Sequence, residues 1–497
     1  MDIVLVTPGF APLSGASDDT AEVVAGLAKA LRGREHRVTV VSPLYRSIDP
    51  TAKALARRLT GLRVDVPGID GPVEVHLYDG RTPAGVELVF LGNDAWFGQT
   101  DDLTAGEDDA ERARRAGLFG RAAAAAVRSR EDVAAEVVHG HGWPGALALV
   151  AGADAGLQAT FLLTLHDLDG LGSFPAELAP ALGIDATDQG QAPGRVFAAL
   201  AGARVAAHTT VGSPAQARRL RGMADGDDWP KDPATRALLA TVADLGDRVG
   251  GVPGGVDAAR WNAATDAHLD HRYDPMDLSG KRRNKAAIQH DLGLPIRDDL
   301  PLVALFASPE PARGARTALE VLPEVLRNDV QVVAAFTGAP TPGGIDAAPG
   351  DAREADALAG AYEELSGLWS ERFQVRRAAD DALIHRLLGA ADLLFIPHRR
   401  DAHGALARTA QRYGVLPVAA AVGGLEDAIV DCDPPLRTGT GFVADEATPD
   451  ALLAALRRAL ASYADSDAFA ALQTRVMRVD HTWDRSAYLF ERLYEQG

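Results

Sequence analysis

The sequence predicts an α/β protein with two doubly wound, mostly parallel sheets in one chain. Three features lead there: short apolar runs that are each followed by an amphipathic stretch, a Gly- and Pro-rich interruption near the middle, and a restart of the same alternation beyond it. A chain of 497 residues is too long for one core, and 47% apolar residues can fill two.

The elements follow in order. Asp2–Thr7 (DIVLVT) reads as a buried parallel strand, being β-branched and without polar alternation. Ala21–Leu31 reads as a helix and Arg37–Ser42 as a second strand. Further strands are expected at Val73–Leu77, Glu87–Leu91, Glu136–His139, Thr160–His166 and Arg204–Val211, with helices near Asp108–Arg128 and Pro214–Arg221. Gly250–Asp257 (GGVPGGVD) reads as a hinge, and a charged segment, Asp270–Lys285, follows it. The alternation then restarts. Strands are expected at Leu302–Ala307, Val330–Phe336, Leu393–Pro397 and Val415–Ala421, and helices at Arg313–Leu326, Arg353–Trp369, Asp381–Ala390 and Gly404–Tyr413. Helices near Pro449–Tyr463, Ser466–Val479 and Asp484–Glu495 end the chain, and Ala339–Gly350 is a loop by composition. The division expected is 1–252, 253–480 and a terminal helix in 481–497. In open α/β sheets ligands sit beyond the carboxyl ends of the strands, so residues there matter most.

A net charge of −19 argues against a nucleic-acid footprint or a polybasic membrane patch, because both need clustered cations. An anionic substrate would need local cations. The single cysteine, Cys432, leaves no internal disulfide and no cysteine-based zinc site, which points to a cytoplasmic location. The start MDIVLVTPGF reads as a strand and not as a signal peptide, and no apolar run is long enough for a membrane span. His139 and His141 at i, i+2 are the histidine pair that raises a metal site, but no third ligand accompanies them. GxSxG and GxxxxGK[ST] are both absent.

A series of segments, in order, resembles glycogen and starch synthases (glycosyltransferase family 5) over almost the whole chain. Ala11-Pro12-Leu13 resembles the family's ECAPL turn and VVHGHGW at Val137–Trp143 resembles VVHAHDW. TLHDLDGLGSFP at Thr164–Pro175 resembles TIHNLAYQGLFP, and GGVDAARWNAATD at Gly254–Asp266 resembles NGIDYEVWNPATD. Lys281–Lys285 resembles K-x-x-N-K, RYGVLPVAAAVGGLED at Arg412–Asp427 resembles RYGTLPIVRATGGLAD, and TWDRSA at Thr482–Ala487 also fits. The resemblance implies the GT-B fold, in which two Rossmann-like domains face across a cleft and the last helix returns to the first domain. It implies retaining transfer of glucose from ADP-glucose or UDP-glucose to the non-reducing end of an α-1,4-glucan. The implied partners are thus a nucleotide sugar and an α-glucan, with no metal or cofactor, no nucleic acid and no membrane. The leaving diphosphate carries the developing charge, so the protein's task is electrostatic stabilisation.

The chain departs from the family at several of the implied site residues. The first loop, where the family has Lys-Thr-Gly-Gly, reads Ser14–Thr20; Gly15 remains as a backbone contact to phosphate, while Asp18 and Asp19 read equally as caps of the next helix. The family's Arg and Lys in the second domain become Ser308 and Arg313. Arg313 is a catalytic candidate by its charge, or else a solvated first-turn cation. Loss of one preorganised cation costs about 3–4 kcal/mol in the transition state, on the order of 10²–10³ in rate. SRFEPCGLTQ becomes His398–Ala407, keeping Arg399 and Gly404, with Asp401 for Glu and His403 for Cys. Asp401 is implied to orient glucose hydroxyls, His403 to donate to a phosphate and Gly404 to open a helix N-terminus to an anion. Arg400 is a candidate substitute for the lost cation. His141 is implied to approach the donor sugar, with Trp143 and His166 beside it; His166 also reads as an ordinary strand-end histidine. Three functions stand on these residues: an active glucosyltransferase, a degenerate relative that binds glucan or a protein partner, and a transferase with a changed donor or acceptor.

Overall fold

The computed structural model describes all residues except 14–18, 107, 131–133, 167, 169–170, 186–191, 227–231 and 338–351. It divides into two compact units, Met1–Val252 with Trp483–Gly497, and Pro253–Thr482.

In the first unit, fully buried β-branched runs form the centre of the sheet. Asp2–Val6 lies between Arg37–Pro43 and Val137–His141, all parallel. Outward on one side come Glu87–Gly92, also parallel, and Val73–Arg81, which is antiparallel. On the other side come Thr160–Leu165, His208–Val211 and Val249–Gly251, all parallel. The parallel strands therefore run 3-2-1-4-5-6-7 in chain order, reversing between Asp2–Val6 and Val137–His141. The expected strand Arg204–Val211 is two elements: a helix, Ala198–Val205, and then the strand His208–Val211. Alanine and glycine at 198–203 bury that helix closely, which hid its period. The helix Gly142–Asp154 was likewise not expected, because its nearly all-apolar sequence carries no amphipathic signal.

The terminal helix Trp483–Tyr494 packs on the helix Asp19–Gly33 of this unit. A Cβ on Gly26 would meet Trp483 Nε1 at 2.1 Å, so close contact requires glycine. Glu491 accepts both Arg34 Nε (2.6 Å) and Arg34 Nη2 (2.7 Å). Tyr494 reaches the central sheet, where its hydroxyl meets His139 Nδ1 at 2.8 Å.

The second unit is a six-stranded parallel sheet. Its order is Phe373–Ala379, Gln331–Thr337, Leu302–Ala307, Leu393–Ile396, Leu416–Ala420 and Phe442–Ala444. In chain order this is 3-2-1-4-5-6, the order of dinucleotide-binding sheets. Helix starts are capped by side chains: Asp380 accepts from Leu383 N, and Thr448 accepts from Ala451 N ahead of Pro449. The charged segment runs into a helix, Ser279–Leu292, whose lysines turn inward. Lys285 Nζ lies 2.6 Å from Asp392 Oδ2 and 2.9 Å from the Tyr463 hydroxyl. Burial lowers Lys281 to about 7. The K-x-x-N-K pattern is thus a core device in this unit, since Lys281, Asn284 and Lys285 are all buried. Among the described residues no helix is long and apolar enough to cross a membrane.

Candidate active site

The sheet of the second unit reverses direction between Leu302–Ala307 and Leu393–Ile396. The carboxyl ends of these neighbouring strands lead into the loops 308–314 and 397–404, where ligands of such sheets bind. Backbone bonds join the two loops: the Arg399 amide donates to the Ala312 carbonyl at 2.8 Å and the Arg400 amide to the same oxygen at 3.4 Å. Gly314 sits at φ 70°, and a Cβ there would come within 1.8 Å of the Pro397 oxygen. A third loop closes from the other side, with the Gly424 amide donating to the Asp401 carbonyl at 2.8 Å. Glycine at these contacts lets backbones touch, so the loops hold one geometry without intervening side chains.

Asp401 is the hub. Its Oδ1 accepts from the amides of Gly404 (2.6 Å) and His403 (3.1 Å), and its Oδ2 lies 2.9 Å from His398 Nδ1. Burial pushes this carboxyl up, but the His398 hydrogen bond, the charge of Arg313 and the Gly404 amide outweigh that and hold it far below the usual range. Asp401 is therefore an anion. The Gly404 amide, expected to be open to a ligand, is already donated to it; the helix Ala405–Arg412 begins on a carboxylate of its own loop. His403 is buried, and the buried Arg408 donates to its carbonyl.

His398, passed over in the sequence, is the partner that Asp401 holds. It is 1% exposed, and burial lowers its pKa, with Arg313 acting the same way and the Asp401 hydrogen bond opposing. A neutral imidazole that donates Nδ1–H to a carboxylate presents its Nε2 lone pair as an acceptor. That Nε2 has no hydrogen-bond partner among the described residues. The signal in the sequence was the His-x-x-Asp spacing at the end of a strand.

Ser308 is buried and its Oγ accepts from the Glu310 amide at 3.3 Å, so it shapes a turn. The positive charge near it comes from other residues. Arg313 follows on the same loop, with its Nε 3.3 Å from Glu310 Oε2. Arg399 and Arg400 are exposed on the loop bonded to it.

The remaining expected residues gather in the first unit. His141 ends the strand beside that sheet's own reversal, and its Nδ1 lies 3.1 Å from His166 Nε2, at the end of the next strand. His139 lies beneath, between the Tyr494 hydroxyl and Thr164 Oγ1 (2.7 Å). Burial and the nearby His166 keep His139 well below the ordinary histidine range. Both its ring nitrogens are thus engaged in hydrogen bonds. Trp143, in the first turn of the helix Gly142–Asp154, packs edge-on to Phe174 at 5.5 Å and against Gly172. Gly15 lies outside the described residues.

Two doubly wound sheets in one chain, each reversing at its first strand, with charged and glycine-built loops at the reversal of the second, define a glycosyltransferase of the GT-B type. The whole chain superposes on the catalytic domain of starch synthase IV from Arabidopsis thaliana bound to ADP and acarbose, with TM-score 0.84, 24% identity and 100% and 99% of the two chains covered. Residues 2–228 match the family model of the starch synthase catalytic domain. The chain is 32% identical to a glycogen synthase of Anaeromyxobacter sp. (strain Fw109-5), covering 99% of both. It is 33% identical to a glycogen synthase of Bordetella bronchiseptica, covering 98% of this chain and 92% of the other. The chain belongs to the bacterial glycogen synthase family.

Proposed function

We propose that this chain moves glucose from ADP-glucose or UDP-glucose to the non-reducing end of an α-1,4-glucan, with retention and without a metal or cofactor. Identity along the full length of glycogen synthases supports the reaction. The observation that carries it in this chain is the charge around Ser308. Arg313, Arg399 and Arg400 stand on two loops bonded to each other at the sheet reversal. A degenerate relative is expected to lose its cations there along with the family arginine, so that reading is not favoured.

In the proposed mechanism Arg399 and Arg400 meet the diphosphate, and Arg313 adds charge from the side. Their field stabilises the diphosphate as the glycosidic bond breaks. His398 Nε2, an acceptor, suits a sugar hydroxyl better than a phosphate oxygen. Asp401 acts through His398 and the helix start, as a positioning residue. His141, tied to His166, contacts the donor sugar, and Trp143 supports the turn that carries it.

The test mixes the purified chain with each nucleotide sugar and glycogen and follows release of the nucleoside diphosphate. Release that depends on glycogen supports the proposal. A folded sample that binds ADP by calorimetry yet releases nothing refutes transfer and leaves only a binding protein.

A further inference from the structure

Outside these loops, the second unit carries a cluster of metal-ligating side chains. The helix Asp381–Ala390 presents Asp381 and His385 one turn apart, on the same face. The segment that follows Pro253 brings His268 to them from far away in sequence. One ligand atom from each of the three lies within 4.8 Å of the others. Asp381 Oδ2 is 3.8 Å from His385 Nε2 and 4.0 Å from His268 Nε2.

His385 is held as a ligating histidine is held. Its ring stacks on Trp261, with centroids 4.0 Å apart and planes at 11°. Its Nδ1 lies 2.7 Å from Asp266 Oδ2, and the Tyr413 hydroxyl donates to the same oxygen at 2.5 Å. This carboxylate–imidazole pair is the outer support that fixes the tautomer of metal-bound histidines. It aims Nε2 at Asp381 and His268. His385 is 2% exposed, and its Nε2 has no hydrogen-bond partner among the described residues. A buried imidazole nitrogen left in that state is costly unless something occupies the space before it.

We propose that His268, Asp381 and His385 bind a divalent transition-metal ion such as zinc. Two imidazoles and one carboxylate suit zinc and its neighbours, while calcium and magnesium prefer all-oxygen shells. Metal–ligand bonds of about 2.0–2.1 Å need the ligand atoms roughly 3.3 Å apart in a tetrahedron. The side chains of His268 and Asp381 are 41% and 42% exposed and can close that gap while His385 stays fixed. Arg260 Nη2 holds Asp381 Oδ1 at 2.7 Å, which orients the carboxylate and leaves Oδ2 for the ion. Water would complete the shell at this half-open surface. The ion would brace the segment around residue 268 against the helix Asp381–Ala390. That helix leads directly into the strand Leu393–Ile396, whose end carries His398 and Asp401.

The test titrates zinc chloride into chelator-treated, dialysed full-length protein by calorimetry and follows Tm in parallel. One saturable site is expected, with Tm rising by about 5 °C at zinc one hundred times Kd. His268→Ala and Asp381→Asn change exposed side chains and should each weaken zinc binding at least tenfold. His290→Ala, at an exposed histidine elsewhere, should leave it unchanged. The proposal is overturned if no saturable zinc site appears below 100 times the protein concentration, or if His268→Ala and Asp381→Asn bind zinc as the parent does. Circular dichroism on each variant separates lost binding from lost fold.

Discussion

Replacing Asp401 by Asn tests how the loop works, because the change keeps size and shape and alters only charge and donor pattern. In the parent, Asp401 accepts from Gly404 N at 2.6 Å, His403 N at 3.1 Å and His398 Nδ1 at 2.9 Å. An asparagine can keep its oxygen on the two amides, but its NH₂ then meets His398. His398 must turn Nδ1 into an acceptor and move its proton to Nε2, so the free nitrogen changes from acceptor to donor. Losing charge assistance in three bonds, at about 1 kcal/mol each, predicts a stability loss of about 3 kcal/mol, read as a lower urea midpoint. A reversed hydrogen bond to a sugar hydroxyl predicts a fall in kcat of roughly 10², with little change in KM. The pH–rate limb that reports His398 should move to lower pH, because the Asp401 hydrogen bond is what raises that histidine. If D401N lost the predicted stability but kept kcat and the pH profile, His398 would have no part in transfer. If it lost neither, the proposed hub would be wrong.

Further outcomes follow from the same geometry. Arg399→Ala and Arg400→Ala should each lower kcat/KM for the nucleotide sugar about tenfold, one charge-assisted bond apiece, with smaller effects at high salt; steady-state kinetics at two ionic strengths checks this. Gly314→Ala should cost about 2–4 kcal/mol by urea unfolding, since φ is 70° and the new Cβ would meet the Pro397 oxygen at 1.8 Å. His481 is lowered from 6.5 to about 4 by burial and by the charges of Arg408 and Arg412. Below pH 6.5 the unfolded chain takes a proton there that the folded chain refuses, so stability is full above 6.5 and falls toward pH 4, by about 3 kcal/mol. His481→Gln should flatten that slope in denaturation curves measured from pH 7 to 4.

Much of the fold was legible because buried parallel strands announce themselves. Leu302–Ala307 and the helix Asp381–Ala390 have the limits that apolar composition and the Asp380 cap imply. Elements failed to show where that contrast was missing. Phe373–Ala379 is an edge strand with Arg376 half-buried and Arg377 exposed, so it carried no apolar run. The helix Gly142–Asp154 is apolar on nearly every face. In the candidate site, strand ends pointed to loops that the structure bonds to each other, because sheet topology decides where loops converge. Side-chain direction was not legible. Ser308 looked like a lost cation and is a buried turn residue, and Asp401 looked like a sugar ligand and is bonded within its own loop. The His268–Asp381–His385 cluster was hidden because His268 lies more than a hundred residues from the other two and meets them only through tertiary packing.

The most direct measurement follows the fate of the sugar itself. Nucleotide-linked [1-¹³C]glucose is incubated with the chain and a short maltooligosaccharide, and the product is examined by NMR. The account predicts label at a new non-reducing end, joined through oxygen 4 with an α anomeric coupling, together with one nucleoside diphosphate per glucose added. Label that stays on the nucleotide, appears only as free glucose, or arrives with a β coupling would contradict it.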